Sequence, residues 1–115
     1  MFKHYLTYSF ALNFVQACRD YQAPHWDGRS AESLNQSATK VLHHFSLALH
    51  ASRLTDELMH TGVALMCLRD CRVLLDAKAV RQPEIDTRYH VLVSRLEQIC
   101  LKLSERNGCQ LEMIG

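Results

Sequence analysis

The residues best suited to chemistry in this sequence are a glutamate and a histidine one helical turn apart. Glu57 and His60 have the Glu-x-x-His spacing with which di-metal carboxylate bundles bind their ions. The complete pattern needs a second such pair and two further inward-facing glutamates, whereas this chain carries the spacing once. We therefore predict no bound metal or cofactor, and keep a metal-binding helical bundle that uses Glu57 and the histidines as the alternative function.

Further histidines lie close to this pair in the predicted helices. His43, His44 and His50 belong to the helix that precedes His60. Imidazole binds zinc and nickel well, but consecutive residues of a helix point about 100° apart, so His43 and His44 cannot easily face one ion. Surface or interface histidines that titrate at about pH 6.5 are the other interpretation.

Basic residues recur every seven positions near the end of the chain. Arg88, Arg95 and Lys102 form one slowly drifting stripe on a helix, with Arg81 just before them. Such a stripe could follow a phosphate backbone, so these four are the candidate nucleic-acid-binding residues. The alternative is the flank of a helix–helix seam, where long basic side chains cover apolar surface and pair with acids such as Glu84.

The overall charge helps to weigh those two interpretations. With 13 basic and 12 acidic residues, the chain has a formal charge of +1, which favours the seam for a single chain. In a closed oligomer the same stripe could line one surface several times over, and nucleic-acid contact is kept as the alternative interpretation on that basis. Neither a nucleophile elbow nor a Gly-rich phosphate loop is present in the sequence, so we expect no enzymatic activity.

Length and composition predict one small intracellular domain. The chain has 115 residues, 48% of them hydrophobic, and no apolar run near the ~20 residues of a membrane span. Its five cysteines are irregularly spaced, unlike a secreted disulfide framework, and free thiols in a reducing cytosol are the simpler interpretation. Trp26 lies in the longest predicted loop, either as a contact residue or folded over the end of the domain.

The 3.6-residue period of apolar positions predicts four helices and no strand. Three of them cover about residues 4–21, 31–50 and 54–78, and the fourth starts at Pro83 and stops at Asn107-Gly108. Ser30 and Ser52 are the candidate N-caps of the second and third helices. We predict the all-α class, as an antiparallel up-down four-helix bundle over residues 1–108 with a short C-terminal tail at 109–115.

The third helix is more apolar than one bundle requires. Beside a core stripe of Leu58, Gly62, Leu65 and Leu68, apolar residues spread over its flanks, and such a helix is buried on more than one side. The second side must contact another molecule, and another subunit is the obvious candidate. Gly62 would permit close approach of a neighbouring helix. The candidate oligomer-interface residues are Met59, Val63, Met66, Val73 and Leu74.

Two stretches of the chain carry a family resemblance. Residues 61–69, TGVALMCLR, continue to Val73-Leu74-Leu75, and after a polar joint residues 89–99 read YHVLVSRLEQI. This layout resembles the four-helix-bundle family of the ribosomal-RNA intervening-sequence protein. Within it, the chain is most similar to the accessory variability-determinant proteins of diversity-generating retroelements.

The resemblance implies a homopentamer of four-helix bundles and contact with a reverse transcriptase and nucleic acid. Together with the residue patterns, it predicts a non-enzymatic cytoplasmic oligomeric scaffold. Its candidate partners are nucleic acid or a nucleic-acid enzyme such as a reverse transcriptase, with no membrane association.

Overall fold

The chain folds into four α-helices. A computed structural model describes residues 4–21, 27–78 and 82–114, so the predicted candidates Arg81 and Trp26 lie outside the described residues. Within these ranges there is no strand, which confirms the predicted all-α class. The helices are α1 (Tyr5–Asp20), α2 (Gly28–His50), α3 (Leu54–Ala77) and α4 (Pro83–Ile114).

Each helix packs against two others, so the four helices form a square in cross-section. α1 and α3 both contact α2 and α4, and they lie diagonally opposite each other. The direction of α4 relative to α1 is given by two contacts: Arg95 lies over Phe10, and Arg88 reaches Asn13, which is later in α1. The two helices are therefore antiparallel, and the predicted antiparallel up-down bundle is confirmed.

The core lies between the four helices and is built from the apolar stripe of each one. Phe14 of α1 and Tyr89 of α4 meet with ring centroids 6.2 Å apart. The largest completely buried side chains are Phe14, Phe45, Leu34, Leu68, Leu75, Leu92 and Leu96. In the described part of the chain, no helix is both long and apolar enough to cross a bilayer.

Both predicted N-caps are wrong. α2 begins at Gly28, three residues before the predicted start, and Asp27 is its N-cap: the Asp27 carboxylate accepts a 2.6 Å hydrogen bond from the backbone N–H of Ser30. Aspartate and serine are about equally good N-caps, so the helix can begin at the earlier of the two residues, which adds three residues to it. α3 is preceded by Arg53, which makes no side-chain cap bond.

The predicted stop of the fourth helix at Asn107-Gly108 is also wrong, because α4 continues to Ile114. No described glycine has a positive φ, so Gly108 stays in the right-handed helix and does not form a left-handed C-cap. A glycine within a helix costs only about 1 kcal/mol relative to alanine. The residues that follow it, such as Gln110, Leu111, Glu112 and Met113, favour helix and offset that cost.

Removing the cap of α2 is expected to destabilise the fold in a pH-dependent way. The hydrogen bonds from Ser30 lower the pKa of Asp27, so the cap stabilises the protein above the ordinary carboxyl pKa and this contribution is lost as the pH falls through the folded-state value. We expect Asp27→Ala to have a lower Tm than the unmutated chain at pH 7, with the difference shrinking toward pH 3. Circular dichroism measures this, and Asp27→Asn, which keeps an acceptor, is the control; equal Tm values for the two variants would contradict the assignment.

Candidate assembly surface and neighbouring polar clusters

The outer side of α3 carries apolar side chains that the rest of the chain leaves in solvent. Met59, Met66 and Val73 are 53%, 64% and 67% exposed and follow one another at intervals of seven residues. These three residues, here called the α3 stripe, extend over about 21 Å of helix at 1.5 Å per residue. The charged and exposed Arg69 and Asp70 lie between Met66 and Val73. Scattered exposed apolar residues are ordinary, but three on the same side of one helix make that side a candidate contact surface.

The opposite side of α3 explains why this row faces outward. Ala64, Leu68 and Cys71 are completely buried in the bundle core. Met66 lies two residues from both Ala64 and Leu68, about 200° around the helix from each. Because one side of α3 already fills the core, the apolar side chains on its other side are exposed to solvent.

The structure separates the five predicted interface residues. Met59, Met66 and Val73 form the exposed stripe, and Val63 is half-buried next to it. Leu74 is half-buried and packs against the core cluster of this same chain. Leu74 directly follows the stripe residue Val73, but one step along the helix turns it by about 100°.

The predicted place of Gly62 in the core stripe is wrong, because Gly62 is partly exposed on the outer side of α3 and has open space around it. A Cβ atom built on Gly62 would meet no atom within 4 Å. Packing within the chain therefore gives no reason for a residue that weakens the helix. The missing side chain leaves room for the backbone of another helix to approach.

Two of the predicted nucleic-acid-binding arginines lie at the seam between α1 and α4. Arg88 donates a 2.9 Å hydrogen bond to the backbone oxygen of Asn13 and pairs with Glu84 at 2.7 Å. The Arg95 guanidinium lies 4.8 Å from the centre of the Phe10 ring. These contacts are those of the seam interpretation, in which the arginines bind α4 to α1, while Lys102 is exposed.

Sequence reasoning did not single out Arg72, which holds α3 to α4. Its guanidinium pairs with Asp86 at 2.7 Å and with Asp76 at 3.0 Å, and lies 5.6 Å from the centre of the Tyr89 ring. The hydrogen bond to Asp86 raises the pKa of Arg72 above its ordinary value. The i,i+4 spacing of Arg72 and Asp76 is visible in the sequence, but the contact with Asp86 is not, because Asp86 lies on another helix.

The structure brings two of the candidate histidines together across the α2–α3 seam. The Nδ1 atoms of His44 and His60 are 3.5 Å apart, and their rings are nearly parallel. His43 stands edge-on to His44 with ring centroids 5.3 Å apart. Burial, followed by the charges of His43, His60 and Lys40, lowers the pKa of His44, so its neutral form is favoured.

The remaining candidate ligands do not join this pair. His50 binds the backbone oxygen of Ser46 through its Nδ1 atom. Glu57 is only 9% exposed and belongs to the buried side of α3. Among the residues that the structure describes, no group of three or more histidine, cysteine, aspartate or glutamate side chains is arranged to hold a metal ion.

The cysteines of the core act as small apolar residues. Cys18 of α1 and Cys71 of α3 are buried, and burial raises the pKa of Cys18 to about 12 and that of Cys71 still further. Burial also raises the pKa values of Cys67 and Cys100, which are partly exposed. Thiols that stay protonated at neutral pH are poor nucleophiles and poor metal ligands.

No protein-family model matches the chain, and neither a curated protein nor a solved structure is significantly similar to it. The resemblance to the intervening-sequence and retroelement accessory family therefore stays a prediction carried by residues 61–69, 73–75 and 89–99.

Proposed function

We propose that the protein is a non-enzymatic scaffold that assembles with copies of itself through the α3 stripe. The observation that supports this proposal most strongly is the exposure of Met59, Met66 and Val73 on one side of a helix whose other side is already buried. The four described cysteines are free, which fits a reducing compartment such as the cytoplasm.

A second copy of the chain is the occupant that the spacing favours. Apolar residues repeated every seven positions are typical of the seam between two packed helices. Full burial of one such side chain contributes about 1.5–3 kcal/mol, so the three stripe residues supply a substantial favourable free energy against the cost of association. Open space at Gly62 allows the partner helix to come close between Met59 and Met66.

The number of subunits comes from the family resemblance, which implies five. A ring forms when the patch on each subunit meets a different patch on the next and the rotation closes. Light scattering at micromolar concentration tests the proposal: we expect a multiple of 13.2 kDa, and a five-fold mass for the pentamer. A mass of 13.2 kDa under these conditions would rule out the scaffold proposal.

Gly62→Ala is expected to act in opposite directions on folding and on assembly. Alanine in the helix raises the stability of the single chain by about 0.5–1 kcal/mol, because its backbone loses less freedom on folding and the added methyl group meets open space. The same methyl group obstructs a close helix–helix approach, so the oligomer should dissociate at a higher protein concentration than the unmutated one. Urea unfolding and sedimentation velocity measure the two effects; a variant with unchanged assembly would place the contact away from Gly62.

Nucleic acid, or an enzyme that acts on it, is the partner that the family resemblance implies for this scaffold. Because Arg88 and Arg95 already bind α1, Lys102, which lines a groove with Thr7 of α1, is the one of the three described candidates whose replacement is expected to disturb the α1–α4 seam least. We expect Lys102→Gln to weaken RNA binding and to reduce the slope of log K against log salt by about 1 for each subunit whose phosphate contact is lost. Fluorescence anisotropy measures this, with the exposed Lys40→Gln on α2 as control; an unmutated oligomer without salt-sensitive binding would exclude nucleic acid as the partner.

A further inference from the structure

The α2–α3 seam holds two imidazoles whose nitrogen atoms face each other. His44 comes from α2 and His60 from α3, their Nδ1 atoms are 3.5 Å apart, and both side chains are half-buried. Their rings are inclined by 25°, with centroids 5.7 Å apart. In the metal-free protein, this contact is a hydrogen bond in which one Nδ1–H donates to the other nitrogen.

The separation of the two nitrogens matches a coordination distance. Zinc–nitrogen bonds in proteins are about 2.0–2.1 Å long, so two nitrogens bound to one tetrahedral zinc ion lie about 3.4 Å apart. His44 and His60 already have that spacing, so one ion could bind to both nitrogens once the rings turn to direct their lone pairs to a common point.

The chemistry of two neutral imidazoles selects the class of ion. Imidazole suits Zn²⁺, Cu²⁺ and Ni²⁺, whereas Mg²⁺ and Ca²⁺ prefer oxygen ligands. Since the described residues offer no third ligand beside this pair, the other coordination positions would be filled by water. Such a site is open, and it follows the general order in which Cu²⁺ binds more tightly than Zn²⁺ or Ni²⁺.

We propose that His44 and His60 form an open two-histidine site for one divalent transition-metal ion, which links α2 to α3. The site is independent of the α3 stripe, so it can exist whether or not the chain forms an oligomer. Because the two ligands come from different helices, the bound ion stabilises the bundle by holding the seam closed.

Calorimetric titration of the untagged, chelator-treated protein with ZnCl₂ and with CuCl₂ at pH 7.5 tests the site. We expect one ion per chain, tighter binding of Cu²⁺ than of Zn²⁺, and a Tm that rises with metal concentration. His44→Gln and His60→Gln should each weaken binding at least about ten-fold and remove the rise in Tm. His90→Gln, an exposed histidine on α4, is the matched control and should change neither.

The variants remain informative if a substitution affects folding, because circular dichroism without metal reports the helix content separately. Weak binding by a variant that keeps its helix content supports the site. Binding unchanged in both His44→Gln and His60→Gln would overturn it, and so would an equal loss in His90→Gln, since the ion would then bind elsewhere.

Discussion

Replacing Met66 by glutamate is expected to break the oligomer into single chains without unfolding them. Met66 is 64% exposed in the single chain, so a carboxylate there stays hydrated and costs little. At the centre of an apolar seam, the same carboxylate would be buried without a partner, which costs several kcal/mol per interface. Light scattering should fall to the 13.2 kDa of one chain while the circular dichroism spectrum stays helical.

A matched substitution on another helix separates the stripe from general surface effects. Leu101 of α4 is 61% exposed, close to the value for Met66, and belongs to a different side of the bundle. Leu101→Glu introduces the same charge at the same exposure and should leave the mass unchanged. An oligomer that survives Met66→Glu would show that assembly does not depend on the α3 stripe, whereas dissociation with Leu101→Glu would place a second contact patch on α4.

Leu68→Ala is expected to cause a large loss of folding stability, whereas Met66→Glu affects assembly and leaves the single chain folded. Leu68 is completely buried on the core side of α3, two residues from Met66. Truncation of a buried leucine removes apolar contacts and leaves a cavity, which together cost about 2–5 kcal/mol. Folded proteins are stable by only about 5–15 kcal/mol, so this loss is a large part of the free energy of unfolding.

The measurement is best made on single chains, because oligomerisation makes apparent stability depend on protein concentration. Urea unfolding of the Met66→Glu chain, with and without Leu68→Ala, gives the difference in free energy directly. Leu101→Ala is the control and should change the free energy of unfolding by less than about 0.5 kcal/mol. A loss below about 1 kcal/mol for Leu68→Ala would place that side chain outside the core.

The four helices are predictable from the sequence because each carries its own apolar period, which needs no knowledge of the neighbours. The helix ends are less predictable. Asp27 and Ser30 are both good caps three residues apart, and the backbone bond from Ser30 to the Asp27 carboxylate decides between them only in the folded chain. At Gly108 the stop residue is outweighed by helix-forming residues that follow it.

The candidate surface is only partly predictable, since the pattern of α3 reveals an apolar surplus but not which flank lies outward. The two neighbours of α3 decide that: Leu74 packs against the core cluster, whereas Val73, one residue earlier, is exposed. The partners of Arg95 are beyond sequence reasoning for a similar reason. Phe10 is distant in sequence and meets Arg95 only when α4 closes against α1.

The row of exposed side chains on α3 also affects the protein before it assembles. A newly folded subunit exposes Met59, Met66 and Val73 to water, and an apolar surface of this kind attracts any other exposed apolar surface. With a net charge of only +1, mutual repulsion between subunits gives little protection. If the chain assembles as proposed, its solubility depends on the ratio of free to assembled subunits, and a mutation that slows assembly would cause aggregation even when folding is intact.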